Sequence, residues 1–266
     1  DVHTPPFQSG TGAGITFAAP APEDLAAAAN SFLEVHLQAE DSGGLFSTDV
    51  RLDLQPRKRD VTLSSDPAGA RLTPATPVTL SWDNGRGQVF AITFRIDRDY
   101  MITADQRVAN RGPAPVTVQP FGLVNRTDET ASLDSFNVHS GPIGAFDGSV
   151  SFATNYEDVA EAQTVRGEGQ ADWIGFTDVY WMSALAPAGA KAEGTYRALG
   201  DHLYRADLVY GQDTVRPGQV MARQTRLFAG AKEHTVLDSY EKQGIANFGL
   251  AIDWGWFRWF EKPIFW

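Results

Sequence analysis

The amino-acid sequence predicts a mostly β protein, built as an antiparallel sandwich with short helices near its C-terminal end. From Leu45 onward, apolar residues recur with the period of two that is typical of half-buried strands. Turn signals separate these short runs about every ten residues, as they do in β-sandwiches. Helical spacing closed by a glycine appears near the C-terminal end, and 266 residues are enough for one large core.

Residues 1–46 are predicted to be a loosely structured lead-in that contains one short helix. The beginning of this segment is rich in Pro, Gly, Ser and Thr, which favour turns. The helix is expected from Glu23 to His36, because Pro22 suits a first helical position and an alanine-rich run follows it. Gly43 and Gly44 predict the turn that closes the lead-in.

Residues 47–230 are predicted to form the sandwich, and apolar residues that alternate with polar ones mark its strands. These markers are Val50, Leu52 and Leu54; Val78, Leu80 and Trp82; Phe90, Ile92, Phe94 and Ile96; Tyr100, Ile102, Ala104 and Val108; Val116 and Val118; Leu208 and Tyr210; and Val220, Ala222, Leu227 and Phe228. Asn84–Gly85 is a hairpin signal, and Gly112–Pro113 and Arg216–Gly218 predict further turns.

Residues 231–251 are predicted to be a C-terminal helix and a linker. Apolar residues recur at helical spacing between Lys232 and Gln243, and Gly244 is the residue expected to end the helix.

Residues 252–266 are predicted to form an amphipathic helix that lies in a membrane interface. On a helical wheel of about 100° per residue, most of the large aromatic side chains share one half, opposite Arg258, Glu261 and Lys262. Trp rings favour the lipid headgroup layer. The predicted membrane-interface residues are Trp254, Trp256, Phe257, Trp259, Phe260, Ile264 and Phe265. The alternative is a helix that docks on the protein's own core.

This tail is too short and too charged to span a bilayer, because a spanning helix needs ~20 mostly apolar residues. We therefore expect the sequence to be a fragment of a membrane protein, ending where the chain would enter the lipid and lead toward a transmembrane helix.

The composition excludes several classes of function. A net charge of −11 argues against a nucleic-acid-binding surface, and the absence of cysteine excludes disulfides and thiolate catalysis. The five histidines have no metal-ligand spacing, and nucleophile-elbow and phosphate-loop motifs are missing. We therefore predict no catalytic residue, no metal and no cofactor. His139 is the histidine best placed to line a cleft, although a hydrogen-bonded loop histidine is the more ordinary interpretation.

The segment from Trp173 to Leu185 is unusually rich in aromatic and aliphatic residues. The plain interpretation is a buried strand or bend that anchors two sheets. The functional alternative is an aromatic-lined cleft for a peptide or a sugar.

Two segments of the chain resemble the YidC family of bacterial membrane protein insertases. The run Trp173–Asp178, followed by Tyr180, Trp181 and Met182, is similar to that family's hallmark motif. Val179 stands where the family usually has Lys, and Asp172 where it usually has Gly. The second match resembles the approach to the family's second transmembrane helix and comprises 252–257 and 262–265. The resemblance covers about residues 72–266, and residues 1–66 match poorly.

The resemblance implies the large periplasmic domain of a Gram-negative inner-membrane protein, a β-supersandwich like that of galactose mutarotases. It also implies a non-catalytic accessory role in inserting and folding inner-membrane proteins, alone or with the Sec translocon. The implied partners are the SecD–SecF accessory complex, nascent inner-membrane proteins and the lipid headgroup layer, with no nucleic acid. The implied hallmark residues, which could also line a cleft, are Trp173, Phe176, Asp178, Tyr180 and Trp181. A mutarotase-like enzyme or a carbohydrate-binding module is the alternative.

Overall fold

The computed structural model describes residues 33–38, 40, 43–48, 50–54, 64–66, 71–132, 139–200 and 202–252. The chain divides into two compact units, Asp1–Thr62 and Leu63–Trp266. The domain boundaries drawn from the sequence, at residues 46, 230 and 251, stay predictions.

The first unit contains an antiparallel pair of strands, β1 (Leu33–Leu37) and β2 (Val50–Leu54). The strand predicted at residues 50–54 is confirmed. The predicted helix from Glu23 to His36 is wrong at residues 33–36, and its earlier part lies outside the described residues. Leu33–Leu37 alternates apolar and polar residues with a period of two, and pairing with β2 satisfies its backbone groups, so the strand prevails over the helix propensity of the preceding alanines.

The second unit is a β-sandwich. Its strands are β3 (Ser64–Asp66), β4 (Val78–Asp83), β5 (Gln88–Ile96), β6 (Met101–Asn110), β7 (Val116–Val118), β8 (Phe121–Thr127), β9 (Gly141–Phe146), β10 (Ser149–Ser151), β11 (Thr164–Arg166), β12 (Ala171–Thr177), β13 (Trp181–Ala188), β14 (Ala192–Ala198), β15 (Leu203–Tyr210), β16 (Asp213–Val215) and β17 (Val220–Ala231). Its helices are α1 (Tyr156–Ala162), α2 (His234–Lys242) and a short 3-10 helix, Phe248–Ala251.

The strands form two main sheets that face each other. The larger sheet has nine strands in the order β10-β9-β12-β13-β17-β6-β5-β4-β3, and the smaller has the order β11-β14-β15-β8. A two-stranded ribbon pairs β16 with β7. Every described pair of strands is antiparallel, which confirms the predicted fold class. The predicted Asn84–Gly85 hairpin is also confirmed: it joins β4 to β5, and Asn84 N–H donates to the Gln88 carbonyl (3.1 Å).

Two apolar cores lie on opposite faces of the larger sheet. The sandwich core fills the space between the two sheets and includes Ile174, Phe176 and Leu208. The C-terminal core lies between the larger sheet and the C-terminal helices, and it includes Trp173 and Phe248. Successive side chains of a strand point to opposite faces, so β12 supplies both cores. This confirms the plain interpretation of a buried strand for residues 173–177 of the apolar run.

The first helix of the C-terminal layer ends in a defined hydrogen-bonded cap. The predicted helix between Lys232 and Gln243 is confirmed as α2. Gly244 has φ +93° and donates to the Glu241 carbonyl (2.9 Å), while Ile245 donates to the Tyr240 carbonyl (3.1 Å). This pair of bonds is the Schellman motif, which requires a left-handed residue and so favours glycine.

Trp173 connects the larger sheet to this layer. Its indole Nε1 donates to the Ala246 carbonyl (3.0 Å), and its ring packs edge-on against Phe248 at 5.5 Å. None of the helices that the structure describes has the length and apolar character needed to cross a membrane.

Candidate functional site

The site is built on the tight turn between β12 and β13. Thr177 pairs with Met182, and Asp178 N–H donates to the Trp181 carbonyl (2.8 Å), so residues 178–181, here called the hallmark turn, form a closed connection. Two residues earlier in β12, a Cβ on Gly175 would overlap the backbone carbonyl of Ser183 on β13. The small residue in the motif is therefore a packing requirement of this hairpin.

Asp178 holds the hallmark turn in place. Its Oδ2 accepts hydrogen bonds from Arg126 Nη2 (2.9 Å) and the Ser132 N–H (3.3 Å), and its Oδ1 accepts from the Val179 N–H (2.7 Å). Partial burial by itself would raise the pKa of Asp178, but these hydrogen bonds and the Arg126 charge outweigh it and lower the pKa. The carboxylate is thus an ionised clamp at neutral pH.

Lys232 ties the same turn to the start of the C-terminal layer. Its backbone N–H donates to the Tyr180 carbonyl (2.8 Å), and its Nζ donates to Thr177 Oγ1 (2.9 Å). The turn is therefore held from two sides, by β8 through Arg126 and by the end of β17 through Lys232. The backbone that carries the exposed side chains is therefore already ordered, which lowers the entropic cost of binding to them.

The hallmark residues divide into three groups by their surroundings. Trp173 and Phe176 are 0% and 2% exposed and belong to the two cores. Asp178 is the clamp. Tyr180 and Trp181 are 73% and 63% exposed, although they continue the same apolar run. This exposed aromatic pair, Tyr180 and Trp181, is the part of the motif that packing does not explain.

An aromatic cluster of Tyr156, Phe176 and Tyr204 packs close to Asp178 and Arg126. Tyr156, at the start of α1, stacks on Phe176 at 6.1 Å between ring centroids and contacts Tyr204 at 4.7 Å. Burial raises the pKa of Tyr156 to about 12, against the opposing effect of the nearby Arg126 charge. Neither Tyr156 nor Arg126 could be predicted from the sequence: Arg126 lies 52 positions from Asp178, and no local spacing connects the two.

His139 is held in place by a hydrogen bond and a ring contact. Its Nε2 is 2.8 Å from the Pro142 carbonyl oxygen, and its ring packs edge-on against Phe152 at 5.9 Å. It is the hydrogen-bonded histidine of the ordinary interpretation. Within the described part of the chain, no group of three or more His, Asp or Glu side chains is arranged to hold a metal ion.

The predicted membrane-interface residues all lie outside the described residues. They are Trp254, Trp256, Phe257, Trp259, Phe260, Ile264 and Phe265. Their role stays a prediction.

Comparison with solved structures finds sugar-processing folds of low similarity. A galactose mutarotase related enzyme from Lactobacillus acidophilus matches with a TM-score of 0.45 and 10% identity, over 68% of this chain and 75% of that one. A putative aldose 1-epimerase from Escherichia coli matches with a TM-score of 0.42 and 11% identity, over 78% and 86% of the two chains.

Comparison by sequence is far more specific. The family model of the YidC periplasmic domain matches residues 37–266. The membrane protein insertase YidC of Zymomonas mobilis is 41% identical over 200 residues, which are 73% of this chain and 34% of the relative. That of a Ruegeria species is 42% identical over 222 residues, 77% of this chain and 35% of the relative. The chain thus spans about a third of the length of these relatives. The chain belongs to the family of YidC periplasmic domains.

Proposed function

We propose that the chain is the periplasmic accessory domain of an inner-membrane protein insertase in a Gram-negative bacterium. In this role it assists the insertion and folding of inner-membrane proteins, alone or beside the Sec translocon, and has no bond-breaking activity of its own. Family membership supports the proposal, and so does the length of the relatives, about two thirds of which lies beyond the region matched here.

The single observation that carries this proposal is the exposed aromatic pair on the hallmark turn. Burying one large aromatic side chain contributes about 1.5–3 kcal/mol. A partner that buried the exposed side chains of Tyr180 and Trp181 would therefore gain binding free energy from both. Tyr and Trp are also enriched among the residues that dominate protein–protein binding. Because Asp178 and Lys232 already fix the turn, a partner would not have to order it.

We infer that this pair docks a protein component of the insertion machinery, with the SecD–SecF accessory complex as the partner to test first. The aromatic tail at residues 252–266 would then hold the domain against the lipid headgroup layer. Docking and membrane contact are separate parts of the proposal, and each has its own experiment.

Site-specific photo-cross-linking tests the docking surface. A photoreactive phenylalanine analogue replaces Tyr180 in the full-length insertase, and a matched control carries it at Val220, which is also exposed (61%). Val220 begins β17, whereas Trp181 pairs with Ala231 at its end, so the two probes sit roughly 35 Å apart. We expect SecD or SecF adducts from position 180 and none from position 220. No adduct at either position, or equal labelling at both, would refute the docking role.

The sugar-related alternatives predict a different result. A carbohydrate-binding module would bind simple hexoses in a calorimetric titration, and a mutarotase-like enzyme would speed their anomerisation. We expect neither signal from the purified chain, and either one would overturn the accessory role.

A further inference from the structure

β8 is an edge strand with backbone groups turned away from its sheet. It pairs with β15 alone in the described residues, and the Tyr210 N–H donates to the Pro120 carbonyl (3.0 Å). That bond shows which residues of β8 form the hydrogen-bonded pairs with β15. The backbone groups of Gly122, Val124 and Arg126 point toward β15, and those of Leu123 and Asn125 point outward. Within the described residues, the outward N–H and C=O groups of Leu123 and Asn125 have no backbone partner.

The free edge of β8 faces one particular part of the larger sheet. A Cβ on Gly122 would contact side chains of Thr225 on β17 and Leu185 on β13, so β8 lies above these two strands. The Gln106 side chain on β6 donates to the Phe121 carbonyl (2.8 Å), which places β6 directly beyond the edge. The next strands of the larger sheet are β5 and β4. We call β4, β5 and β6 the wing.

The wing presents an apolar surface on the face that β8 overlooks. Register places Ile102 and Ala104 of β6 opposite Ile96 and Phe94 of β5, on the same face as Leu227 and Thr225 of β17. Leu80 of β4 and Ile92 of β5 pair on that face too. None of these wing residues belongs to either core in the described part of the chain. They are half-buried, so they form a floor beside the free edge.

A free edge above an apolar floor fits an extended polypeptide. Facing sheets pack about 10 Å apart, so a strand added to β8 would lie over the wing and direct every second side chain onto its floor. The remaining side chains would point outward beside Phe121 and Leu123, which are 46% and 37% exposed. Both faces of the added strand would therefore favour apolar residues. An open edge of this kind is otherwise an aggregation hazard, which a bound strand removes.

We propose that the β8 edge binds an extended apolar polypeptide segment as an added strand, in the manner of β-augmentation. The backbone groups of Leu123 and Asn125 pair with the segment, and the wing receives its inward side chains. The inference rests on the proposed function only for the source of that segment, a protein undergoing membrane insertion. Peptide binding can be measured without SecD–SecF or a membrane, so its failure is distinct from failure of the docking role.

Amide hydrogen exchange on the purified chain tests the edge directly. The probe is a synthetic peptide with a central Leu-Val-Ile-Val-Leu run and two lysines at each end. Its control is the same peptide N-methylated at every residue of the central run, which has no N–H donor on either edge of the strand. We expect exchange at Leu123 and Asn125 to slow at least about ten-fold with the first peptide and to stay unchanged with the second. Unchanged exchange at saturating peptide would overturn the proposal. So would amides already protected in the free chain, since a segment of the chain itself would then occupy the edge.

A proline substitution tests the same edge through affinity. Leu123→Pro removes an outward N–H without removing a bond to β15, and Leu123→Ala shortens the side chain but keeps the N–H. We expect the proline variant to bind the peptide about ten-fold more weakly than the alanine variant, with both unfolding close to the wild-type temperature. Equal affinities would contradict strand addition. If the proline variant fails to fold, the exchange experiment on the wild type decides.

Discussion

Replacing Asp178 with alanine would release the hallmark turn, and the structure sets the size of the effect. Three hydrogen bonds end on this carboxylate, two of them short, from Arg126 and Val179. A hydrogen bond to a charged group contributes about 1.5–3 kcal/mol. Because the Arg126 and Asp178 side chains are 31% and 16% exposed, water replaces part of what is lost. We therefore expect Asp178→Ala to lower the free energy of unfolding by about 2–3 kcal/mol.

Denaturant unfolding of the purified chain measures this loss, and Asp172→Ala is the matched control. Asp172 lies six residues earlier, in β12, and accepts one hydrogen bond, from the Gly148 N–H at 2.7 Å, in an exposed setting. Its replacement should cost less than about 1 kcal/mol. If Asp178→Ala costs no more than Asp172→Ala, the clamp contributes nothing and the reasoning fails. The double variant with Arg126→Ala should show a coupling of about 1 kcal/mol.

The pH dependence of the clamp gives a second reading of the same interaction. The folded state lowers the pKa of Asp178 below its ordinary value of 3.8, so the unfolded state takes up its proton first as the pH falls. The stabilisation from the clamp is therefore complete above the ordinary value and is lost as the pH falls through the lower folded-state value. The difference in stability between wild type and Asp178→Ala should shrink in that acidic range and stay constant near neutrality.

Three further perturbations have defined outcomes. Gly175→Ala should destabilise the chain by more than about 2 kcal/mol in denaturant unfolding, because its Cβ would overlap the Ser183 carbonyl, whereas Gly211→Ala, with open space around it, should stay within about 0.5 kcal/mol. Raising the pH from 10 toward 12 should destabilise the wild type more than Tyr156→Phe, because burial raises the pKa of that phenol from 10.0 to about 12 and the unfolded state ionises first; parallel stability curves would contradict this. The chain should co-sediment with neutral lipid vesicles, and Trp256→Ala with Trp259→Ala should clearly weaken that binding, since each buried ring contributes about 1.5–3 kcal/mol. Equal sedimentation of wild type and double variant would reject the membrane-contact prediction.

Local patterns predicted much of this fold because the physics that sets them is local. The alternation in β4, β5 and β6 follows from the two faces of a strand, and the Asn84–Gly85 hairpin and the α2 cap follow from backbone conformations that few residues adopt. The error at residues 33–36 has the same origin. The alanine-rich run before them favours a helix, but strand pairing with residues 50–54 is a non-local contact that propensity does not contain.

The site was only half visible in the sequence for a related reason. A strand buried on both faces has no alternation, so the apolar run beginning at Trp173 gave no sign of where the chain turns and leaves the core. Asp178 binds Arg126, and the hallmark turn binds Lys232. Only the completed sandwich brings these residues together. Exposure of Tyr180 and Trp181 depends on that turn and could not be read from composition.

Packing and hydrogen bonding explain most residues of the hallmark motif, but they do not explain the exposed pair Tyr180 and Trp181. Trp173 and Phe176 fill the two cores, Gly175 admits the neighbouring carbonyl and Asp178 fixes the turn, so packing and hydrogen bonding explain each of them. The side chains of Tyr180 and Trp181 are largely exposed and belong to neither core of the described residues, and apolar rings in water favour aggregation. A polar pair at these two positions should leave the stability of the chain unchanged within about 0.5 kcal/mol, and a polar residue at position 181 alone should abolish the cross-links expected from a probe at position 180. A polar pair that unfolded the chain would instead assign these rings to the fold, and the docking role would lose its basis.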